Sequence, residues 1–359
     1  MTRFQISSRR GAASATLMAA FIAAGAQVPS AQAMSIKAVF DSSITKLSNA
    51  SQIESAFNTV AADYASQFAG PATVYVGVSW GSVGGYALPS NAVGASIDPL
   101  YGYFTYAQIK SWLTASSASS PADTALATAV KNLPAAAPSG VTRYVLPSAE
   151  AKALGLISPS QTSFDGSIGF AGLTSGFDFN PNDGVTAGTY DFEAVAAHEL
   201  DEVLGRISGL SSTSPTFRTP FDLFRYSAPG VLNDAYNSSA YFSIDGGKTH
   251  LGNFNNSASG GDRADWLTLA TSSDIQDAFV SKGQRLNLTA ADLTGLDVLG
   301  WGGSNLGDTG AGTPTAIAFH LIQDPQGAVP EPSIWALAVA GFALIGARLR
   351  RRSPQLSAA

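Results

Sequence analysis

Hydrophobic positions follow helical spacing in some stretches of the chain and alternate in others, which predicts a mixed domain of helices and strands. Apolar residues recur at helical spacing over 36–68, with a break near 48–51, so two helices are predicted there. Residues 71–80 alternate, are rich in β-branched side chains and are followed by glycine, which predicts a strand. A shorter strand is predicted at 167–171.

The same patterns predict three further helices and a hairpin. The helices cover 106–115, 121–133 and 148–154, and turns rich in proline and serine separate them. Residues 241–250 predict two strands joined by a tight bend at a pair of glycines. Near the end of the domain, an N-cap signal at Thr289 predicts a short helix.

Residues 178–184 contain aspartates and asparagines and look at first like a calcium-binding loop. Their spacing differs by one residue from that of such loops, and no glutamate stands at the closing position. We therefore predict an ordinary turn stabilised by Asp or Asn side chains.

Residues 189–206 predict an amphipathic helix that concentrates the chemistry of the chain. This segment holds three of the six glutamates and one of the three histidines. The predicted apolar face consists of Phe192, Ala196, Leu200, Val203, Leu204 and Ile207. His198 and Glu202, at positions i and i+4, project together from the other side, and Glu199 lies one step round from His198.

This arrangement corresponds to the His-Glu-x-x-His helix of zincins with Glu202 in place of the second histidine. In that pattern two side chains one turn apart bind Zn²⁺ and the intervening glutamate is the general base. A carboxylate is also a zinc ligand, but the extra negative charge weakens the Lewis acid and favours harder cations such as Mn²⁺ or Ca²⁺.

A purely structural interpretation of the same helix stands beside this one. Glu202 and Arg206 have the spacing of an i,i+4 ion pair, and Asp201 and Glu202 have the character of solvated surface charge. His198 would then be a hydrogen-bonded histidine on a partly buried helix.

Composition excludes several classes of protein. The 359 residues are 45% apolar and only 13% charged, against about 25% in a typical globular domain. The formal net charge of −6 and the lack of a basic stripe argue against nucleic-acid binding. Cysteine is absent, so any transition metal must be held by nitrogen and oxygen.

Residues 1–33 have the three parts of a secretory signal peptide. A basic start precedes an apolar centre over 12–24, and small residues at Ala31 and Ala33 fit the cleavage rule. We predict export by the Sec machinery and a mature protein that begins at Met34.

The C-terminus predicts a membrane anchor. Residues 329–333 read Val-Pro-Glu-Pro-Ser, a run of 14 mostly apolar residues follows over 334–347, and an arginine cluster ends at Arg352. The run is shorter than the roughly 20 residues of a typical span, but the arginines can snorkel, so a transmembrane helix with a cytoplasmic end is predicted. Residues 303–328 form the predicted linker, in which 313–321 is either a last strand or an irregular stalk.

The C-terminal tail, residues 329–352, resembles the PEP-CTERM sorting signal of Gram-negative bacteria. The motif, the apolar helix and the basic cluster stand in the required order at the C-terminus. The resemblance implies recognition by an exosortase, anchoring in the inner membrane, and delivery to the cell surface or extracellular matrix.

The body of the chain is similar to a group of zincin-like metalloproteases associated with PEP-CTERM signals. The similarity is carried by His198-Glu199 and by the segments 222–225, 241–247 and 296–301. It implies an α+β, zincin-like domain over 34–302, with the metal-site helix lining a cleft under a small twisted sheet. It also implies that His198 is a metal ligand, Glu199 the general base, and Glu202 the occupant of the second ligand position.

The third metal ligand must come from outside the helix. The metzincin pattern places a histidine where this chain has Ser208, and no methionine follows Met34 to form a methionine turn. Asp222 is the first candidate because its segment returns shortly after the helix, and His250 is the second. The alternative for Asp222 is a pair with Arg225 or a turn cap.

These expectations define a metal-dependent endopeptidase of low turnover that acts on a peptide or protein substrate. Zn²⁺, with Ca²⁺ or Mn²⁺ as alternatives, would polarise the carbonyl, Glu199 would move the proton, and Tyr226 or His250 would stabilise the oxyanion. The alternative function is a non-catalytic matrix or adhesion protein on a degenerate zincin scaffold. A third interpretation is a Ca²⁺ site that serves stability alone.

Overall fold

The computed structural model of the protein describes five stretches of the chain: 34–172, 176–211, 217–256, 260–302 and 316–323. The predicted signal peptide, most of the predicted linker and the sorting tail lie outside these stretches. In the described residues, no helix combines the length and the apolar character needed to cross a bilayer. The predicted membrane span at 334–347 lies outside the described residues.

The described residues contain α-helices, strands and short helical turns. The α-helices are α1 Ser42–Thr45, α2 Ala50–Gln67, α3 Tyr106–Ser119, α4 Thr124–Asn132, α5 Ser148–Ala153, α6 Phe192–Leu204 and α7 Ala290–Leu296. The strands are β1 Ser35–Phe40, β2 Thr73–Trp80, β3 Ser82–Val83, β4 Tyr86–Ala87, β5 Ala92–Phe104, β6 Arg143–Pro147, β7 Gly166–Phe170, β8 Phe177–Asp178, β9 Tyr190–Asp191, β10 Phe217–Arg218, β11 Arg225–Ala228, β12 Val231–Leu232, β13 Tyr241–Phe242, β14 Gly252–Asn253 and β15 Ala316–Gln323. The other turns are 3₁₀ segments at Pro181–Asp183 and Pro220–Phe224 and a π-helical turn at Asp297–Trp301.

A seven-stranded mixed sheet forms the centre of the domain. Its strand order is β1-β2-β7-β5-β6-β10, and β15 lies beside β5. Strands β1, β2 and β7 are parallel, whereas β5 is antiparallel to β7, β6 and β15. A separate four-stranded sheet has the order β12-β11-β13-β14. The predicted α+β class is confirmed, and the central sheet is larger than the small sheet that was predicted.

One predicted helix is wrong. Residues Ser35–Phe40, which fall in the first of the two helices predicted over 36–68, form strand β1 parallel to β2. Ile36, Ala38 and Phe40 pack against the core while Lys37 and Val39 are exposed, so the burial period is two. Apolar residues at 36, 39 and 40 also satisfy helical spacing, and pairing with β2 decided between the two patterns.

Most of the other predicted elements are confirmed. The strands at 71–80 and 167–171 correspond to β2 and β7, and the helices after residue 105 correspond to α3, α4 and α5. Thr289 caps α7 through a reciprocal capping box with Asp292, as the sequence signal indicated. The turn at 178–184 is built by Asp178, whose carboxylate accepts hydrogen bonds from the backbone N–H groups of Asn180 and Thr186.

The structure distinguishes between the two alternatives for residues 313–321. Residues 316–323 form strand β15, which pairs antiparallel with β5 and sets His320 opposite Ser96. The chain therefore returns to the central sheet shortly before the sorting tail begins.

Helix α6 has well-defined ends. The side chain of Asp191 accepts a hydrogen bond of 3.0 Å from the backbone N–H of Ala194, which caps the N-terminus. At the C-terminus, Gly205 has a φ of +123°, a conformation that an L side chain rarely adopts. The indole Nε1 of Trp301 donates to the carbonyl of Leu204 over 2.7 Å and satisfies one of the last free carbonyls of the helix.

Removal of the N-cap of α6 should destabilise the whole domain. Asp191 is buried, so Asp191→Ala leaves the N–H of Ala194 without its acceptor, and we expect a loss of about 1–2 kcal/mol in the free energy of unfolding. Urea denaturation measures this change. Asp183→Ala, at an exposed position of a 3₁₀ turn, is the control and should shift the free energy by less than about 0.5 kcal/mol. Equal effects of the two substitutions would contradict the capping role.

Candidate metal centre

The site lies where one face of β5 meets α6. Strand residues alternate between faces, and the face toward α6 carries Gly94, Ser96 and Asp98. The opposite face carries Ala95 and Ile97, which pack in a separate apolar cluster. Glu199 and Glu202 of α6 are thus directed at the sheet, and both are fully buried.

His198 is oriented as a metal-ligating histidine would be. Its Nδ1 donates a hydrogen bond of 2.8 Å to the carbonyl of Ile275, which leaves Nε2 as the unprotonated nitrogen when the ring is neutral. Nε2 lies 3.7 Å from Oε1 of Glu202 and 3.8 Å from Oδ1 of Asp265. No hydrogen-bond partner of Nε2 exists among the described residues.

Glu202 is held from the sheet side. Ser96 Oγ donates to Oε2 of Glu202 over 2.8 Å, so one oxygen is fixed and the other, Oε1, faces the two imidazoles. Both Glu202 and its neighbour Asp201 are fully buried, which contradicts the interpretation of these residues as solvated surface charge.

Asp265 reaches the site from a loop that folds back over α6. Nδ2 of Asn255 donates to the carbonyls of Gly260 and Asp262, which closes the loop. Within it the backbone N–H of Asp262 donates to Oδ2 of Asp265 over 3.2 Å, leaving Oδ1 directed at His198.

Arg206 fastens this loop system to the end of α6. Its guanidinium stacks on the ring of Trp266 at 4.3 Å and donates to the side chain of Gln276. The indole of Trp266 donates in turn to Asp292 over 2.8 Å. The ion pairs of Glu202 in the described part of the chain are with the two histidines, so the proposed i,i+4 pair with Arg206 is not formed.

His320 enters the same region from β15. Its Nδ1 lies 3.9 Å from Oε1 of Glu202 and 3.3 Å from Oδ2 of Asp262. The side chain of His320 is 3% exposed and that of Asp262 is 25% exposed, so Asp262 is the more accessible partner. Glu202 is therefore shared by two groups, His198–Glu202–Asp265 and Glu202–Asp262–His320.

Glu199 lies beside these groups with no hydrogen-bond partner in the described residues for either carboxylate oxygen. It packs against the backbone of β5, where a Cβ added to Gly94 would come within 2.6 Å of its Oε1. Only glycine at position 94 leaves room for this carboxylate.

The pKa shifts reflect the number of carboxyl groups that are buried here. Burial, followed by the charge of Glu202, raises the pKa of Glu199 well above its usual range, and burial does the same to Asp265. Burial opposes ionisation of Glu202, but His320 and His198 outweigh it and lower its pKa to about 2. Burial likewise opposes the charged histidines, yet Asp265 raises the pKa of His198 to about 9.

These residues fit a divalent cation. In each group the nitrogen and oxygen atoms lie within 4.8 Å of one another, a spacing that a single ion can bridge. His198 Nε2, Glu202 Oε1 and Asp265 Oδ1 are buried polar atoms without hydrogen-bond partners in the described regions, and such atoms are costly unless something binds them. A cation would supply that partner and offset the excess of carboxylates.

The structure does not bring Asp222 to this centre. Its Oδ1 accepts from Ser208 over 2.5 Å, and Oδ2 accepts from the backbone N–H groups of Gly209 and Thr219. Asp222 thus caps a 3₁₀ turn, the alternative that its position allowed, and it belongs to neither of the two groups.

His250 and Tyr226 also lie elsewhere. His250 is exposed and stacks on Tyr241 with 4.5 Å between ring centroids. Tyr226 is buried in β11 and packs under Gly247. Tyr226 belongs to the four-stranded sheet and His250 to the loop between its strands β13 and β14, so neither is placed to stabilise an oxyanion at His198.

Sequence analysis missed Asp262, Asp265 and His320. The first two stand in a loop, Gly260-Gly-Asp-Arg-Ala-Asp265, whose only signal was a pair of aspartates beside glycines. His320 is one of only three histidines and interrupts a continuous apolar stretch, which was the one available signal.

A cavity of about 710 Å³ lies between α2 and residues 177–193. It is lined by side chains such as Gln52, Thr59 and Asn182 and contains none of the predicted site residues. Its size therefore gives no support to a role in the chemistry of His198.

Comparison with known proteins identifies the tail. Residues 328–352 match the PEP-CTERM protein-sorting motif. No curated protein and no solved structure matches the chain. The matched motif supports an exported bacterial protein that an exosortase recognises and that is sorted to the cell surface.

A methyl group at position 94 should disturb the centre. In Gly94→Ala the new Cβ would meet Glu199 at 2.6 Å and Val195 at 2.7 Å, and we expect a loss of about 1–3 kcal/mol in unfolding free energy. Thermal and urea denaturation measure it. Gly172→Ala is the control, because its Cβ would meet only a backbone carbon at 3.6 Å, and it should be nearly neutral. A neutral Gly94→Ala would contradict the close packing of Glu199.

Proposed function

We propose that this exported protein is a metal-dependent peptidase on a zincin-like scaffold, in which His198, Glu202 and Asp265 hold the cation. The observation that supports this proposal is the convergence of three buried atoms, one from each residue, within 4.8 Å of one another. None of the three has a hydrogen-bond partner in the described residues. One nitrogen and two carboxylate oxygens suit Zn²⁺ or Mn²⁺, and suit Ca²⁺ less because of the imidazole. Asp265 takes the place that Asp222 had in the prediction from sequence.

Glu199 is the general base in this proposal. A cation bound by the three ligands would polarise a peptide carbonyl and lower the pKa of a bound water. Glu199 follows the ligand His198 directly in the chain and has no other hydrogen-bonding commitment among the described residues. Burial raises the pKa of Glu199 above its usual range. In the proposed mechanism its carboxylate takes a proton from water and passes it to the leaving amine.

Substrate access requires a change in conformation. His198, Glu199, Glu202 and Asp265 are all fully buried, so an extended peptide does not reach them in this arrangement. Strand β15, which carries His320 onto Glu202, is the covering element closest to the end of the described chain. Hydrolysis therefore follows displacement of β15, because displacement of the loop of Asp265 would remove a proposed ligand.

The complete burial favours a second candidate function, a non-catalytic surface or matrix protein in which the cation serves stability. Structural metal sites are closed, whereas catalytic sites keep a position open to water or substrate. Under this candidate, the cation links α6, the Asp265 loop and the sheet without turnover.

The finer steps of export are also part of the proposal. The Sec machinery would recognise residues 1–33, and residues 334–347 would hold the protein in the inner membrane until exosortase processing. The mature protein would then act at the cell surface or in the extracellular matrix of a Gram-negative bacterium, on a peptide or protein substrate.

Replacement of the general base should separate catalysis from metal binding. Glu199→Gln keeps the shape of the side chain but removes its basicity, so we expect peptide hydrolysis to fall by about 10²–10⁴-fold while the bound metal stays unchanged. Cleavage of a quenched-fluorescent peptide library and elemental analysis measure the two quantities. Glu193→Gln, six residues earlier on α6 and half-buried, is the matched control and should retain activity. Undiminished hydrolysis by Glu199→Gln would remove Glu199 from the mechanism.

Removal of the cation should destabilise the protein under either candidate function. Chelation leaves buried carboxylates without a counter-charge, so we expect the free energy of unfolding to fall by roughly 3 kcal/mol relative to protein with free cation at one hundred times Kd. Thermal unfolding with and without chelator measures this difference. His198→Ala should lose the larger part of the response to chelator, and an undiminished response in this variant would place the cation elsewhere. Stable metal without hydrolysis would favour the structural candidate.

A further inference from the structure

Strand β15 brings the third histidine of the chain to a second group of ligand atoms beside the first. Nδ1 of His320 lies 3.3 Å from Oδ2 of Asp262 and 3.9 Å from Oε1 of Glu202. The atoms of these three residues lie within 4.8 Å of one another. This group differs from the His198 group in every member except Glu202.

His320 is a buried side chain that is aimed into this group but makes no hydrogen bond within the described residues. It is 3% exposed, and neither of its ring nitrogens has a hydrogen-bond partner in the described part of the chain. Oε1 of Glu202, which is also fully buried, likewise has no hydrogen-bond partner there. An imidazole that is nine-tenths buried normally finds a hydrogen-bond partner, so the unmet nitrogens indicate a ligand.

Space and access exist beside His320. A cavity of about 20 Å³, large enough for a single water-sized occupant, is lined by residues that include His320, Asp262 and Tyr236. The partial exposure of Asp262 gives this side of the group a path to solvent, which the His198 group lacks. A divalent cation that has shed most of its waters thus has a route to His320.

We propose that Glu202, Asp262 and His320 form a second position for a divalent cation, which fastens β15 to α6. Glu202 is the bridge, since its Oε1 faces both histidines. A carboxylate shared between two cations is the usual arrangement of two-metal sites, in which the ions lie about 3.5–4 Å apart. The cation position exists only while β15 is paired with β5, because β15 supplies His320.

The position of the strand links this cation to the sorting tail. Strand β15 ends at Gln323, and the matched sorting motif begins at residue 328. A cation at His320 therefore holds the segment that immediately precedes the tail against the domain. Its loss frees that segment and uncovers the edge of β5 and the buried face of Glu202.

Metal counting tests the proposal directly. Full-length protein, purified in detergent, is titrated with Zn²⁺ and its metal content is measured by elemental analysis and calorimetry. We expect two Zn²⁺ per chain in the unsubstituted protein and one in His320→Ala. The affinity of the second position for Zn²⁺ should fall by more than the roughly 10–100-fold that is typical of changes outside the metal ligands. His250→Ala removes an exposed histidine outside the group and should still bind two.

A second variant guards against a folding defect. Asp262→Asn keeps the size of a partly exposed side chain and should also reduce the count to one. One Zn²⁺ in the unsubstituted protein, or two in folded His320→Ala, would overturn the proposal. If His320→Ala does not fold, the count in Asp262→Asn decides in the same way.

Backbone hydrogen exchange tests the attachment of the strand. Zn²⁺ at one hundred times Kd should slow the opening of β15 about 100-fold, with little change at β1 on the opposite edge of the sheet. Equal exchange rates of β15 with and without Zn²⁺ would contradict the attachment of the strand by a cation. The second cation position does not require hydrolysis. Two bound Zn²⁺ without peptidase activity would support the second position and contradict the proposed peptidase function. An active protein with one Zn²⁺ would support the peptidase function and contradict the second position.

Discussion

The contact between α6 and β5 is the interaction on which the rest of the structure depends, because it buries more carboxylates than nearby cationic side chains can balance. Glu199, Glu202 and Asp265 are fully buried, and Asp98 on the same face of β5 has its pKa raised to about 8, chiefly by burial. Isolated carboxylates in such an environment take up protons or pair with cations, since an uncompensated charge costs several kcal/mol. A divalent cation would satisfy this requirement with the atoms already in place.

The surrounding scaffold is arranged to hold these groups in one geometry. Asp191 and Gly205 set the two ends of α6, and Gly94 lets the helix approach the strand closely. Arg206 stacks on Trp266 and so ties the loop of Asp265 to the end of the same helix. Ile275 fixes the ring of His198 through a backbone carbonyl. Outer interactions of this kind orient ligands before a metal arrives and raise its affinity.

The sorting tail and the centre are joined by a short piece of chain. Residues 324–327 are all that separates β15 from the matched motif at 328–352. Any event that pulls on or cleaves the tail therefore acts next to the strand that carries His320 beside Glu202. For an exported protein, this proximity offers a physical route from sorting to a change at the site.

The sequence alone determined the local features. Helix α6, its Gly205 terminus, the pairing of His198 with Glu202 and the sorting tail all follow from spacing within a few residues, where covalent geometry dictates which side chains meet. The strand at Ser35–Phe40 was mistaken for a helix because its apolar positions satisfy both periods. Tertiary structure decided which other residues join this pair. Asp265 and His320 lie 67 and 122 residues after His198, counted from their positions in the chain, and only strand pairing and loop folding bring them together. Asp222 is much closer to His198 in sequence, but its carboxylate accepts hydrogen bonds from nearby backbone N–H groups and caps its own turn.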